Sequence, residues 1–447
     1  MFNITDFGAK PNLEILQTGV IQVAIDTCHS KGGGTVVIPK GKYYTSTLYL
    51  RSNVNLHLEF ESYLIGSKNL CDYPEIDDTF IDAVGHTRGK CLIYAKNIKS
   101  SSITGAGTID GNGSSFKYDE DNRPFLIRYI NCYDICLQNI SLKNSAAWVV
   151  HLLGTENARI NGINIYSHAN SNNDGIDIDS CNNIEISNCD IDTSDDAICV
   201  KSTDSKICEN IRVYSCILKS IWGALKIGTE TYGDIRNISF HDIKIRDTFG
   251  GGVKIISTDG CRLENVSIEN ISMENVSGPI FIRLGSRSRT YYKNQQVRVA
   301  GTLKNILLRN ISIRVVEEGY YLYGKYPRKA GIIVTGIPGH SIENVIFENL
   351  NVIFPGNELS FERSFYNVPE QENEYPEFPM FHPLPSWAFF LRHVKGLTLK
   401  DTSLNTVKAD SRPVIFTDDV KDLKVSNIVV NNQQFDFETE IISKRLP

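Results

Sequence analysis

The sequence predicts an all-β chain wound as a single-stranded right-handed parallel β-helix, a solenoid with an N-terminal helical cap. Two observations carry this. A template of the form apolar-x-apolar-x-Asn/Asp/small-apolar-x-apolar recurs as Ile135–Leu142, Ile184–Ile191, Ile238–Ile245, Val266–Met273, Ile306–Ile313, Val345–Val352 and Leu423–Val430. Between residues 135 and 266 copies return every ~23–28 residues, the self-similarity of a repeat architecture. A β-sandwich would show turn signals every ~8–12 residues and no long repeat. Within each copy two short strands meet at Asn or Asp, residues that tolerate the left-handed region and bond their own backbone, so the chain turns there. The apolar side chains then point inward and stack with those of the coils above and below, and each coil pairs its backbone with its neighbours in parallel.

Residues 1–65 read as the cap and first strands, and 66–447 as one continuous solenoid with loop insertions. Phe7-Gly8-Ala9 closes a short strand. Val20, Ile21, Ala24, Ile25 and Cys28 recur at helical spacing and mark an amphipathic helix over Thr18–Cys28, which Gly32-Gly33-Gly34 stops. Thr35–Lys40 and Tyr43–Leu50 are short strands. A solenoid needs such a cap, because an open end exposes core and unpaired strand edge. The repeat sets in from about residue 90. Its later intervals stretch to ~40–50 residues, so loops are inserted there. One holds Arg283–Lys293, another Gly319–Arg328, and the longest runs from Pro355 to Trp387. Long loops beside a rigid scaffold commonly wall a binding cleft.

Composition narrows the partners. The chain has 447 residues, 41% apolar and 22% charged, with a formal charge of −6. Nothing basic is concentrated enough to track phosphates, which argues against nucleic acid. No apolar run is long enough to span a membrane. The start, Met1-Phe2-Asn3-Ile4, lacks a basic segment followed by a long apolar one, so the expectation is a cytoplasmic protein; a chain already trimmed of a signal would look the same. The eleven cysteines sit mostly in or beside apolar-alternating runs, as buried reduced thiols do, and their spacing does not suit zinc.

The chemistry concentrates between Asn170 and Ser202. Asp174 and the pair Asp195-Asp196 are separated by about one turn of the repeat, so stacked coils bring three carboxylates to one patch. Consecutive aspartates on a regular strand would face opposite ways, so the chain must bend at Asp195-Asp196. Carboxylates forced together cannot all ionise easily, and one holds its proton to higher pH. A protonated and an unprotonated carboxyl at one site are what glycosidic cleavage needs. Two other readings stand beside this one. Aspartates make turns in this repeat, the reading favoured for Asp177, Asp179, Asp190 and Asp192, and the same carboxylates could hold a metal.

The runs Asn172-Asn173-Asp174-Gly175-Ile176-Asp177 and Ser194-Asp195-Asp196-Ala197-Ile198 resemble the two leading motifs of the polygalacturonase family, glycoside hydrolase family 28. The resemblance extends over nearly the whole chain, through Ile4–Ala9, Gly105–Gly113, Asn144–Trp148 and Tyr375-Pro376-Glu377. It implies a right-handed β-helix that hydrolyses pectin with inversion and needs no cofactor or metal. It makes Asp195 the general acid, Asp174 and Asp196 the bases that hold the water, and Asn172 and Lys201 cleft neighbours. Two departures matter. The family's histidine position falls on Gly223, beside Trp222, and its Arg-Ile-Lys motif reads Lys254-Ile255-Ile256. In the family those residues grip a galacturonate carboxylate and order the site.

Lys226 and Lys254 could restore positive charge, and Lys226 reads equally as a solvated strand residue. Arg283, Arg287 and Arg289 could clamp a carboxylate bidentately or be ordinary surface charges. Trp222 suits stacking on a sugar face, and Tyr291 and Trp387 are weaker candidates. The expectation is therefore an inverting, exo-acting glycosidase for galacturonan or rhamnogalacturonan fragments, partnered by an oligosaccharide or polysaccharide, with oligomeric state open. The rivals are a glycosidase of the same fold for a neutral sugar, a calcium-dependent polysaccharide lyase, and a carbohydrate-binding β-helix without catalysis.

Overall fold

The computed structural model describes residues 1–447 except 77–78, 120, 317–330, 357–362, 437–440 and 445–447. The Gly319–Arg328 insertion lies outside the described residues. The strands wind as a right-handed parallel β-helix, and contacts divide the chain into two compact units. One comprises Met1–Val200, Lys206–Ile217 and Tyr291–Lys293, and the other Lys201–Ser205, Leu218–Thr290 and Asn294–Pro447. Among the described residues no helix is long and apolar enough to cross a membrane.

In the first unit the helix spans Thr18–Ser30 and buries Ile21, Ala24, Ile25 and Cys28, most of the face its spacing predicts. Gly33 ends it at a φ of 107°, where a Cβ would stand 2.3 Å from the Asn53 carbonyl oxygen, so only glycine fits. The segment Ile4–Phe7 is a 3-10 turn rather than the end of a strand. The Asn3 side chain accepts from the Thr5 N–H and Gly8 closes the turn at φ 100°, a local cap that apolar pattern alone does not reveal. Parallel pairing begins with Phe2–Asn3 against Gly34–Ile38, which pairs in turn with Val54–Leu58, ahead of the stretch where the repeat becomes readable.

Three stacked rows of apolar residues fill this unit. Ile127, Val150 and Ile176 stand in register in the first. Ile135, Ala158, Ile184 and Ile211 form the second, and Leu142, Ile165 and Ile191 the third. Every one of them is buried. Asn139 and Asn188, the template's turn residues, adopt φ 60° and 55°.

The second unit repeats the scheme with longer strands: Ile235–Thr248, Arg262–Val276, Thr302–Val315 and Ile342–Phe354. Asp242, Asn270, Asn310 and Asn349 bend them at φ 55–57°. Their side chains bond along the stack, with Asn270 to Asp242 at 2.9 Å, Asn310 to Asn270 at 3.0 Å and Asn349 to Asn310 at 2.8 Å. A second ladder runs through Asn237, Asn265, Asn305 and Asn344. Each corner thus satisfies polar groups that the coil leaves over.

The described part of the Pro355–Trp387 insertion packs on this unit. Val368, Phe378, Phe381 and Leu384 close over Ile256, Phe281, Ile333, Phe390 and Phe416. Two buried arginines tie it down. Arg392 donates to the Val368 carbonyl at 2.8 Å and to Asp418 at 3.0 Å, and Arg283 to the Glu370 and Gln371 carbonyls at 2.8 and 3.0 Å.

His393 adds a third tie, bonded to Asp419 at 2.8 Å and to Glu370 at 3.2 Å. Burial pulls His393 down, but its two carboxylate partners outweigh that and hold it above the usual value. Burial pushes Glu370 up, yet the His393 hydrogen bond and the Arg392 charge leave it below the usual carboxylate range. The raised histidine contributes stability fully below about pH 6.5, lost as pH rises through its folded value. The lowered glutamate contributes above about pH 4.5, lost as pH falls. The tie is therefore strongest between these limits. Limited proteolysis of the insertion should be faster at pH 8.5 than at pH 6, and His393→Gln should cleave at a rate independent of pH across that window. Equal rates in the parent protein would show that the tie does not hold the insertion.

Candidate active site

The run Asn170–Asp174 precedes the strand Ile176–Asp179, and Ser194–Asp196 precedes Ile198–Ser202. Both are bends between strands, as two consecutive aspartates sharing one groove require. Their shape is pinned by side chains. Asn173 donates to the Ser145 and Ala147 carbonyls, both at 2.9 Å. Asn170 donates to the Gly113 carbonyl at 2.7 Å, and Ser194 Oγ donates to the Asn170 carbonyl at 2.6 Å. Asn172 takes φ 53°, the left-handed conformation Asn tolerates best after glycine. The asparagine-rich spelling of this run is thus a set of backbone anchors.

The stacking expected from the repeat spacing is present. The Val149 N–H donates to the Asp174 carbonyl and the Gly175 N–H to the Asp196 carbonyl, so Asp174 and Asp196 occupy the same position on successive coils. One carboxylate oxygen from each of Asp174, Asp195 and Asp196 lies within 4.8 Å of the others. Asp174 and Asp196 are 4% and 2% exposed, and Asp195 is more open. Asp195 Oδ1 accepts the Asp196 N–H at 2.9 Å, and Asn172 Nδ2 lies 3.5 Å from Asp195 Oδ2. Carboxylates this close share protons. The set could also offer three oxygens to a hard divalent cation, which ordinarily takes six to eight.

The same position one coil earlier is Trp148, whose carbonyl accepts from Leu126. Its ring packs against Phe125 at 5.2 Å and Phe80 at 5.9 Å, and Phe80 meets Tyr292 at 6.5 Å. Trp148, Phe80 and Phe125 are all buried, so an aromatic plug fills the row on that side of Asp174.

Asp177 and Asp179 are not turn formers. They lie fully buried on the strand Ile176–Asp179, with the Asp179 carboxylate 3.6 Å from His151. The Ile-Asp-Ile-Asp alternation was the signal, since a strand sends alternate residues to opposite faces.

The remaining candidates, Tyr291 excepted, lie in the second unit, where most of their charges meet the chain's own oxygens. Lys254 is fully buried and its ammonium lies 2.8 and 3.1 Å from the two Glu377 oxygens. Trp222 donates its indole N–H to Glu377 at 3.1 Å, and the Lys254 ammonium sits over the Trp222 ring at 5.1 Å. Lys201 lies 3.6 Å from Glu230, both side chains 4% exposed. Arg287 does make a bidentate grip, on Asp259 at 3.0 and 2.6 Å, with its guanidinium over the Tyr375 ring. Arg283 lies within the strand Ile280–Leu284 instead of riding a free loop. Its Nη atoms meet the Glu370, Gln371 and Gly336 carbonyls and Thr335, and burial pulls its pKa down to about 10. Lys226 is 4% exposed. It is close enough to Tyr375 to oppose the burial that raises that phenol, so it is not a solvated strand residue. Trp387 and Tyr291 are buried, Trp387 edge-on to Phe354, which makes them packing residues.

Sequence reasoning missed Arg88, Arg123, Glu230 and Asp259, and it quoted Glu377 without a role. Arg88 and Arg123 occupy no position of the repeat template, so no spacing rule reaches them.

Comparison with known proteins agrees with this geometry. Residues 28–352 match the family described as glycosyl hydrolases family 28. A "Probable polygalacturonase" of Vitis vinifera is 30% identical over 269 residues, 54% of this chain and 54% of its own length. An "Exo-poly-alpha-D-galacturonosidase" of Dickeya chrysanthemi is 28% identical over 252 residues, 44% of this chain and 41% of its own. The chain thus spans about half the length of these curated relatives. In structure it resembles the family 28 exopolygalacturonase of Yersinia enterocolitica, with a TM-score of 0.70 and 18% identity over 97% of this chain and 78% of that one, a likeness of fold. With the family match covering most of the chain and the three carboxylates brought together as its motifs require, this protein belongs to glycosyl hydrolases family 28.

Proposed function

We propose that this chain is an exo-acting, inverting glycoside hydrolase for pectin-derived oligosaccharides, galacturonan or rhamnogalacturonan fragments. The observation that carries the proposal is the convergence of Asp174, Asp195 and Asp196 within 4.8 Å. Asp195, the most open of the three, protonates the leaving glycosidic oxygen. Asp174 and Asp196 hold the water and take its proton as it attacks the anomeric carbon from the opposite face of the ring. The close spacing alone favours retention, since paired carboxylates sit ~5–5.5 Å apart in retaining enzymes and ~6.5–9.5 Å apart in inverting ones. The third carboxylate separates the cases, because two of them can fix a water without either becoming the nucleophile.

The aromatic plug of Trp148, Phe125, Phe80 and Tyr292 supports exo action, because a polymer cannot continue along that row of coils. Digestion of polygalacturonan and rhamnogalacturonan should release short products of one size from the first minutes. Long fragments appearing early would remove the exo assignment, and no turnover of galacturonan or rhamnogalacturonan oligosaccharides would remove the pectic one. A second reading, a neutral sugar at the binding surface, draws support from the second unit. There Lys254, Lys201 and Arg287 already face Glu377, Glu230 and Asp259. Neutral oligosaccharides cleaved faster than uronic ones of equal length would favour it.

A further inference from the structure

We infer that Asn172 is a positioning residue, locked by two buried arginines so that its amide N–H faces Asp195 and steadies the carboxylate left when that residue gives up its proton. The inference rests on the hydrolase reading above and concerns how its acid is tuned.

The geometry runs from the outside inward. The Asp82 carboxylate is 2% exposed. One of its oxygens accepts the backbone N–H groups of Val84 and His86 at 3.0 and 2.9 Å. The other accepts Arg88 Nε at 2.8 Å. Arg88 Nη2 then donates to Asn172 Oδ1 at 3.1 Å, and Arg123 Nη2 donates to the same oxygen at 3.0 Å. Arg123 Nη1 also holds the Ser171 carbonyl at 2.8 Å. Both arginines are buried, at 0% and 1% exposure.

A side-chain amide has one accepting end and one donating end, and which way it points is decided by its partners. Two guanidiniums can only donate, so they fix the oxygen on their side and turn the NH2 group toward Asp195 Oδ2. Two cations at the oxygen also polarise the amide and make its N–H groups better donors. The 3.5 Å separation in the resting arrangement is long for a hydrogen bond, as expected for a contact that tightens when the acceptor becomes an anion. The interaction is therefore stronger after proton transfer than before it, the condition for lowering a barrier. Asn172 touches neither the reacting atoms nor, with its oxygen taken, a sugar hydroxyl as acceptor. Its effect passes through Asp195.

Asn172→Ala removes a donor to the charged form of Asp195, so the pKa of that residue should rise. The alkaline limb of the kcat/KM profile should move to higher pH, and kcat should fall by about 10²-fold through loss of alignment with little change in KM. In Asn172→Asp the new carboxylate satisfies both arginines but offers Asp195 no N–H. It also sets a like charge against Asp195, so the Asp195 midpoint should rise and kcat should fall at least as far as in Asn172→Ala, with thermal stability near that of the parent protein. A KM rise with kcat and the alkaline limb unmoved would make Asn172 a substrate contact, and full activity in Asn172→Asp would make it merely structural. Either result overturns the inference.

A readout without substrate separates it from the hydrolase reading. With aspartate side-chain carbonyls labelled with carbon-13 and Asp195 assigned by its loss in Asp195→Asn, the Asp195 midpoint should be higher in Asn172→Ala than in the parent. An unchanged midpoint contradicts the inference whether or not the protein hydrolyses anything. Absence of hydrolysis with a shifted midpoint would contradict only the hydrolase reading.

Discussion

Asp195→Asn should abolish turnover while leaving the fold and sugar binding intact. An amide cannot hand a proton to the leaving oxygen, and positioned acid–base groups contribute about 10²–10⁴-fold each. The substitution keeps size and shape, and its nitrogen can still meet neighbouring acceptors. Binding of a pectic oligosaccharide, followed by calorimetry, should therefore persist with kcat reduced by at least 10². The rivals give different outcomes. A carbohydrate-binding protein has no parent turnover to lose. A metal-dependent lyase would lose activity to a chelator and release an unsaturated, ultraviolet-absorbing product; the hydrolase should keep its rate in chelator. Asp174→Asn and Asp196→Asn should also be severe. The three should not add, because they act on one shared proton inventory.

Glu377→Gln should destabilise the protein by about 3–5 kcal/mol, the usual consequence of leaving a buried ion without its partner. Lys254 has no exposed surface and Glu377 only 16%, so water cannot replace the lost carboxylate. Trp222 loses the charged acceptor of its indole N–H in the same step. The urea midpoint should fall and the slope should stay constant, because the surface exposed on unfolding is unchanged. Lys254→Met should be comparably costly by stranding Glu377. The double variant Lys254→Met/Glu377→Gln should recover much of the loss, since apolar replacement of both partners in a buried pair is often near neutral. If the two single losses simply add in the double variant, the ion pair contributes nothing and the local geometry has been misjudged.

The fold was legible because its rule is periodic. The template, with Asn or Asp at its centre, specified the inward rows and the left-handed corners. Asn139, Asn188, Asn270, Asn310 and Asn349 all adopt the conformation that the residue type suggested. The clustering of Asp174, Asp195 and Asp196 was legible for the same reason: a repeat of known length converts a sequence interval into vertical stacking. What escaped is what no period governs. Arg88, on the short strand Thr87–Arg88, and Arg123, on a loop, reach Asn172 across 84 and 49 residues. Glu377 meets Lys254 across 123 residues. Such pairings depend on where insertions fold back, and a single chain offers no local pattern for that. Arg283 shows the converse error of reading charge as availability. A basic residue on an inserted loop read as a carboxylate clamp or a surface charge, but its carbonyl partners lie on segments distant in sequence.

The central claim is that three carboxylates deliver a proton to one face of a sugar and an activated water to the other. The most direct test is proton NMR of the first product released from a defined pectic oligosaccharide, recorded before mutarotation. The account predicts a newly formed reducing end of anomeric configuration opposite to that of the bond cleaved. Retained configuration would place a covalent sugar on one of Asp174, Asp195 or Asp196, and a 4,5-unsaturated product would mean elimination; either would contradict it.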